Sequence, residues 1–68
     1  MTTYLVHFTD IEWDADPRDY PDANLPTEYT IEVTARNDSD AFDIAADRMS
    51  DNTGFLFYGA QAGVHRIV

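Results

Sequence analysis

Four aspartates, Asp40, Asp43, Asp47 and Asp51, recur at intervals of three and four residues in the stretch DSDAFDIAADRMSD. At roughly 100° per residue they fall within roughly 80° of one another on a helix, a ridge that climbs about 6 Å for every four residues. Carboxylates in such a row repel, at a few tenths of a kcal/mol per adjacent pair, and Asp47 and Asp51 also sit at the negative end of the helix dipole. The ridge therefore carries a cost of about 1 kcal/mol over its three adjacent pairs. What it could do is attract a basic groove on another protein, standing in for a row of phosphates. The competing account is a solvated helix face in a chain that is acidic throughout. Ile44 projects between the ridge and Arg48, either as an apolar anchor for a partner or as a widening of the core stripe.

Two other groups of residues bear on chemistry. Asp14, Asp16 and Asp19 lie close together in DADPRD, as the oxygen ligands of a hard cation often do. An EF-hand loop counted from Asp14 would need glycine at its sixth position and glutamate at its twelfth, but those positions hold Asp19 and Leu25. A weak Ca²⁺ site is accordingly only an alternative, set against a solvated turn, and no metal ligand is assigned. His7 and His65 are the only histidines, with no cysteine, phosphate-binding glycine loop, HExxH or nucleophile elbow to accompany them. An enzyme is not expected, nor a cofactor.

Composition narrows the partners. A chain of 68 residues makes a single domain, and 44% hydrophobic residues suffice for a core. Without cysteine, stability must come from packing or self-association. Thirteen acids against four arginines give a net charge of -9, which disfavours direct binding to nucleic acid or an anionic membrane. A high-GC coding bias or a salt-loving host would also produce such a composition. The N-terminus MTTYLVHFTD has no basic region or long apolar run, and no stretch approaches the roughly 18 apolar residues of a membrane span. The chain is expected to be complete, soluble and cytoplasmic.

The elements that must position these residues follow from periodicity. TYLVHFTDIEW alternates as a strand, with Tyr4, Val6 and Phe8 on one face and Leu5, His7 and Thr9 on the other. Ile11 and Trp13 break that phase, so either a bulge near Thr9 and Asp10 re-aims the chain or the strand's end presents its other face, taking Trp13 away from the main core. DADPRDYPDANLP reads as a long irregular connection, mobile in part. TEYTIEVTA is a strand burying Tyr29, Ile31, Val33 and Ala35 on one face only. Asp38 or Ser39 can cap a helix from about Ser39 to Ser50, whose arc of Ala41, Phe42, Ala45, Ala46 and Met49 faces the sheet and which Asn52 and Gly54 stop. The tail starts a strand at Phe55, and GAQAG allows either a bent strand or a hairpin into VHRIV.

The expected fold is therefore α+β: a small antiparallel or mixed sheet with one helix on one face, in the order β-β-α-β, with a fourth strand if the tail turns back. One helix covers one sheet face. Leu5, Ile11, Trp13, Tyr20 and one pair from Phe55/Phe57 or Leu56/Tyr58 are left without evident cover, either packed under the long loop or forming a dimer or partner surface.

FTDIEWDAD, then LPTEYTIEV, an acidic helix and DNTGF together resemble a group of very small acidic proteins of phages, prophages and related bacterial genomes. The resemblance spans most of the chain and is carried by Asp10, Ile11, Trp13, Asp14, Leu25, Pro26, Thr27, Glu28 and Gly54. As a class, small acidic phage proteins are similar to inhibitors of host defence, including anti-CRISPR proteins and other DNA mimics. The resemblance implies an inhibitor working in the host cytoplasm and supplies no site residues of its own. Together with the charge it points to a module that binds a protein with a basic surface through Asp40, Asp43, Asp47 and Asp51, with Ile44 and Trp13 as anchors. The alternative is a homodimer or other homo-oligomer, structural or regulatory, whose acidity reflects its host.

Overall fold

In the computed structural model, which describes residues 1–16, 18–21 and 25–67, three strands and one helix follow one another as β1 (Thr2–Trp13), β2 (Tyr29–Ala35), α1 (Asp38–Thr53) and β3 (Phe57–Arg66). The parts of the expected irregular connection at Pro17 and at 22–24, and the last residue of the tail, lie outside the described residues. The sheet order is β2-β1-β3, with both edge strands antiparallel to β1. β2 and β3 thus point the same way on either side of β1, and α1 carries the chain from one edge to the other. The fold is α+β, with an antiparallel rather than a mixed sheet.

The longest apolar alternation becomes the central strand because only a central strand can pair along both sides. Tyr4, Val6 and Phe8 face Val33, Ile31 and Tyr29 across β2, and the same face of β1 meets Val64 and Ala62 on β3. On that face Val6, Phe8, Val33, Ala35, Ala41, Ala45 and Met49 are buried, with Phe42, Ile44 and Ala46 half-buried around them. Two alanines in the centre of the helix's contact stripe leave only methyl groups between backbone and sheet. Met49 and Phe8 are the largest fully buried side chains of this core. The opposite sheet face, with Thr3, Leu5, His7, Thr9, Thr30, Glu32 and Thr34, is half-buried or exposed.

The phase break in β1 is a bulge. Asp10 takes φ 51°, the left-handed region that aspartate tolerates better than most side chains. The pairing with β3 shifts between Thr9 and Glu12 and again before Trp13. This rotation brings Ile11 to 7% exposure within the core, correcting the expectation that Ile11 lacks cover. Trp13 does not leave the core either. Its ring is half-buried and meets Phe57 edge-on at 6.2 Å, while Phe57 meets Phe8 at 6.0 Å, so the aromatic core continues to the end of the sheet.

The helix cap lies one residue before Asp38 and two before Ser39, the two caps expected. Asn37 is the cap: its backbone is extended, its side-chain oxygen accepts from the Asp40 N–H at 2.9 Å, and its carbonyl accepts from Ala41 at 2.9 Å. At the other end α1 runs three residues past Ser50. Gly54 stops it with φ 79°, donating its N–H to the Ser50 carbonyl at 2.8 Å. The Thr53 hydroxyl donates back to the Met49 carbonyl at 2.8 Å, satisfying one of the carbonyls that the helix end leaves open.

The tail resolves to one strand. β3 pairs with β1 from Tyr4 opposite Arg66 to Trp13 opposite Phe57, with Gly59 and Gly63 inside it, so residues 57–66 form no hairpin. The strand begins two residues later than expected, because Phe55 turns aside to meet the Tyr20 ring at 5.1 Å.

Candidate functional site

The outward face of α1 carries Asp43, Asp47 and Asp51, all exposed. They lie opposite the buried Ala41, Ala45 and Met49, as the helical projection requires. The last turn of the helix holds no basic residue, so the negative end of the dipole is reinforced by Asp51 rather than countered. Among the described residues the ion pairs are Arg18 with Asp16 and Arg36 with Asp40, and neither involves these three aspartates.

Asp40 has a different environment from the rest of the ridge. Its side chain is 28% exposed, with the Arg36 Nε at 3.6 Å and the Arg36 backbone N–H at 3.5 Å from its Oδ2. Its carboxylate therefore serves the entry to the helix, where the dipole favours negative charge. Ile44 is half-buried and packs against the core cluster on the flank of the contact stripe, next to the ridge. Trp13 lies on the sheet, with its indole N–H donated to the Pro26 carbonyl at 2.8 Å. Of the six residues expected to form the interface, Asp43, Asp47 and Asp51 make a continuous exposed row with Ile44 along its margin.

A second feature lies at the far end of the sheet, where β1 runs into the loop. Trp13, Asp14, Ala15, Asp16, Asp19, Tyr20 and Tyr58 line an open recess of about 500 Å³. The Tyr58 hydroxyl donates to Asp14 Oδ1 at 2.7 Å, and this bond to a carboxylate raises the phenol's pKa above its usual value. Asp16 accepts from Arg18 Nη2 at 3.1 Å and Nε at 3.3 Å, and from the Arg18 backbone N–H at 2.9 Å. Those bonds hold its carboxyl below the ordinary aspartate value. Two of the three carboxylates considered for a loop-bound cation, Asp14 and Asp16, are thus turned to a phenol and a guanidinium of the chain itself. Among the described residues no group of three or more histidine, cysteine or acidic side chains could hold a metal ion.

The role of Tyr58 had no signal in the sequence, since its acceptor lies 44 positions away and is reached only through the β1–β3 register. Both histidines project from the open sheet face. His7 stands opposite Gly63, and a Cβ placed on Gly63 would lie 3.2 Å from His65 Nε2, so the His65 ring rests in space that the glycine leaves.

Compared with protein-family descriptions, with curated proteins and with solved structures, the chain finds no match.

Proposed function

We propose that this protein is a binding module that occupies a basic, nucleic-acid-binding surface on a partner protein. The observation that carries the reading is the row of Asp43, Asp47 and Asp51 on the outside of a capped helix, exposed and without an ion-pair partner among the described residues. Three carboxylates held on one rigid face, in a chain of net charge -9, make a field that a cationic groove attracts and a polyanion avoids. Ile44 on the margin of the row supplies apolar contact where a groove wall would close over it.

The module acts by occupancy, without turnover. A phage-encoded inhibitor of a host defence or nucleic-acid-binding protein, anti-CRISPR in kind and acting in the host cytoplasm, is the specific form that its resemblance to small acidic phage proteins supports. Replacing Asp43→Arg together with Asp47→Arg tests the site. The double variant should fold, and should lose binding to the partner by about a hundredfold or more at low salt, as like charge now faces like charge. Undiminished binding by that variant would remove the ridge from the account.

The second reading, a homo-oligomer whose acidity reflects its host, is favoured by one observation: Leu56, Tyr58 and Ile67 are large, apolar and exposed.

A further inference from the structure

We infer that His7 and His65 form a two-histidine site for a divalent transition-metal ion of the Zn²⁺ class, on the sheet face that α1 does not cover. The pairing of β1 with β3 sets Leu5 opposite His65 and His7 opposite Gly63, so these four positions share one face. Val6, between Leu5 and His7, lies in the core with Ala41, Ala45 and Met49 of the helix, which puts both histidines on the other side. Gly63 has no side chain to fill the place across from His7. The His65 ring takes up that place, its Nε2 lying 3.2 Å from where a Cβ on Gly63 would stand. Directly opposed side chains in an antiparallel pair have Cβ atoms about 4.5 to 5.5 Å apart. The His65 Nε2 is therefore within about 9 Å of the His7 Cβ. That is on the order of the span of one imidazole followed by two metal–nitrogen bonds of about 2 Å each.

The ligand chemistry selects the ion. Imidazole nitrogen suits Zn²⁺, Cu²⁺ and Ni²⁺, whereas Ca²⁺ and Mg²⁺ take oxygen. Among the described residues neither histidine has a hydrogen bond or an ion pair, so each neutral ring has a nitrogen lone pair to offer. Two histidines fill two of the four tetrahedral positions of Zn²⁺ and water fills the others, so the site binds more weakly than a four-ligand structural centre. Glu32, opposite Leu5 on β2, puts a carboxylate on the same face, and the net charge of -9 adds to the attraction for a cation. The aspartate row lies on the outside of α1, across the sheet from the histidines, so the metal and the basic partner engage different surfaces.

The test is isothermal titration of the full chain with ZnCl₂ at fixed ionic strength, alongside NMR of the histidine ring signals. The native chain should bind one Zn²⁺ saturably, and the signals of both rings should shift together, while MgCl₂ at the same concentration moves neither. His7→Asn and His65→Asn change positions outside the core and should keep the fold, as circular dichroism would verify. Each should weaken binding by about tenfold or more. Gly63→Val retains both imidazoles but fills the space in which the His65 ring rests, and should weaken binding to a similar degree. Its backbone is outside the positive-φ region, so the strand accepts the side chain. No saturable binding up to about 1 mM Zn²⁺ overturns the inference, and so does a shift of one ring without the other. Equal affinity in either histidine variant places the ion on carboxylates and overturns it as well, and equal affinity in Gly63→Val overturns the pairing of the rings across the glycine. The ring signals are read on the native chain, so the test does not depend on any variant folding.

Discussion

At the scale of single residues, the most specific contacts are those that close the end of the sheet. Tyr58 and Asp14 form a short phenol–carboxylate bond on the surface. The bond favours the protonated phenol, so the folded pKa lies above the unfolded value. Its contribution to stability is fully present below the ordinary phenol range near pH 10 and is lost as pH rises through the folded value. In an absorbance titration followed through tyrosinate formation, Tyr58, identified by its absence in Tyr58→Phe, should ionise at a higher pH than in Asp14→Asn. Equal midpoints would mean that the bond does not persist in solution. Asp16 behaves in the opposite sense: Arg18 lowers its pKa, and the benefit is present above the ordinary aspartate value of 3.8 and lost as pH falls through the folded value. Trp13 makes a second specific contact, because its N–H satisfies the Pro26 carbonyl. Trp13→Phe keeps an aromatic body but opens that bond, and should lower stability by about 1 to 3 kcal/mol in urea unfolding. A change within error would place the indole bond outside the energetics of the fold. Neither contact was legible in the sequence, since each joins a strand to a distant loop or strand through a register that no local pattern encodes.

At the scale of elements, α1 shows how far periodicity reaches. The buried Ala41, Ala45 and Met49 follow directly from spacing, and so does the outward row of aspartates. The start did not, because Asn37, Asp38 and Ser39 are all competent caps, and only the backbone path from Ala35 selects Asn37. The end was legible in Gly54, whose φ of 79° is the conformation that glycine alone adopts without strain. A Cβ at Gly54 would meet nothing within 4 Å, so the cost of Gly54→Ala is backbone strain alone. It should be about 1 to 2 kcal/mol by urea unfolding, and a neutral substitution would show that the helix end can relax. Asp47→Lys with Asp51→Lys removes like charges and answers the dipole, and should raise stability by about 1 kcal/mol. A loss of stability there would mean that the aspartates have structural partners. The bulge in β1 was half legible. The slip in apolar phase signalled it, but that Asp10 in the left-handed region would return Ile11 to the core depended on β3 pairing across the slip.

At the scale of the whole molecule, charge and apolar surface are segregated along the chain. The acids occupy the first fifty-one residues, and the last strand carries none. Order, class and the single buried sheet face could be read from the sequence because each element has one clear period. The path of residues 59–66 could not, since a run of glycine and alanine is compatible with a turn or a strand until β1 provides the pairing side. With net charge -9 the folded chain repels itself, so its melting temperature should rise with salt toward a plateau, and a flat or falling profile would show that repulsion is not a significant term.

The proposed binding role predicts the reverse dependence for partner binding, together with one form of competition. Basic nucleic-acid-binding proteins retained from a bacterial lysate on the immobilised chain should be released by added duplex DNA and should not be retained by the Asp43→Arg, Asp47→Arg variant. Retention that duplex DNA leaves intact, or that the variant shows equally, would contradict the assignment of the helix face as a stand-in for phosphate.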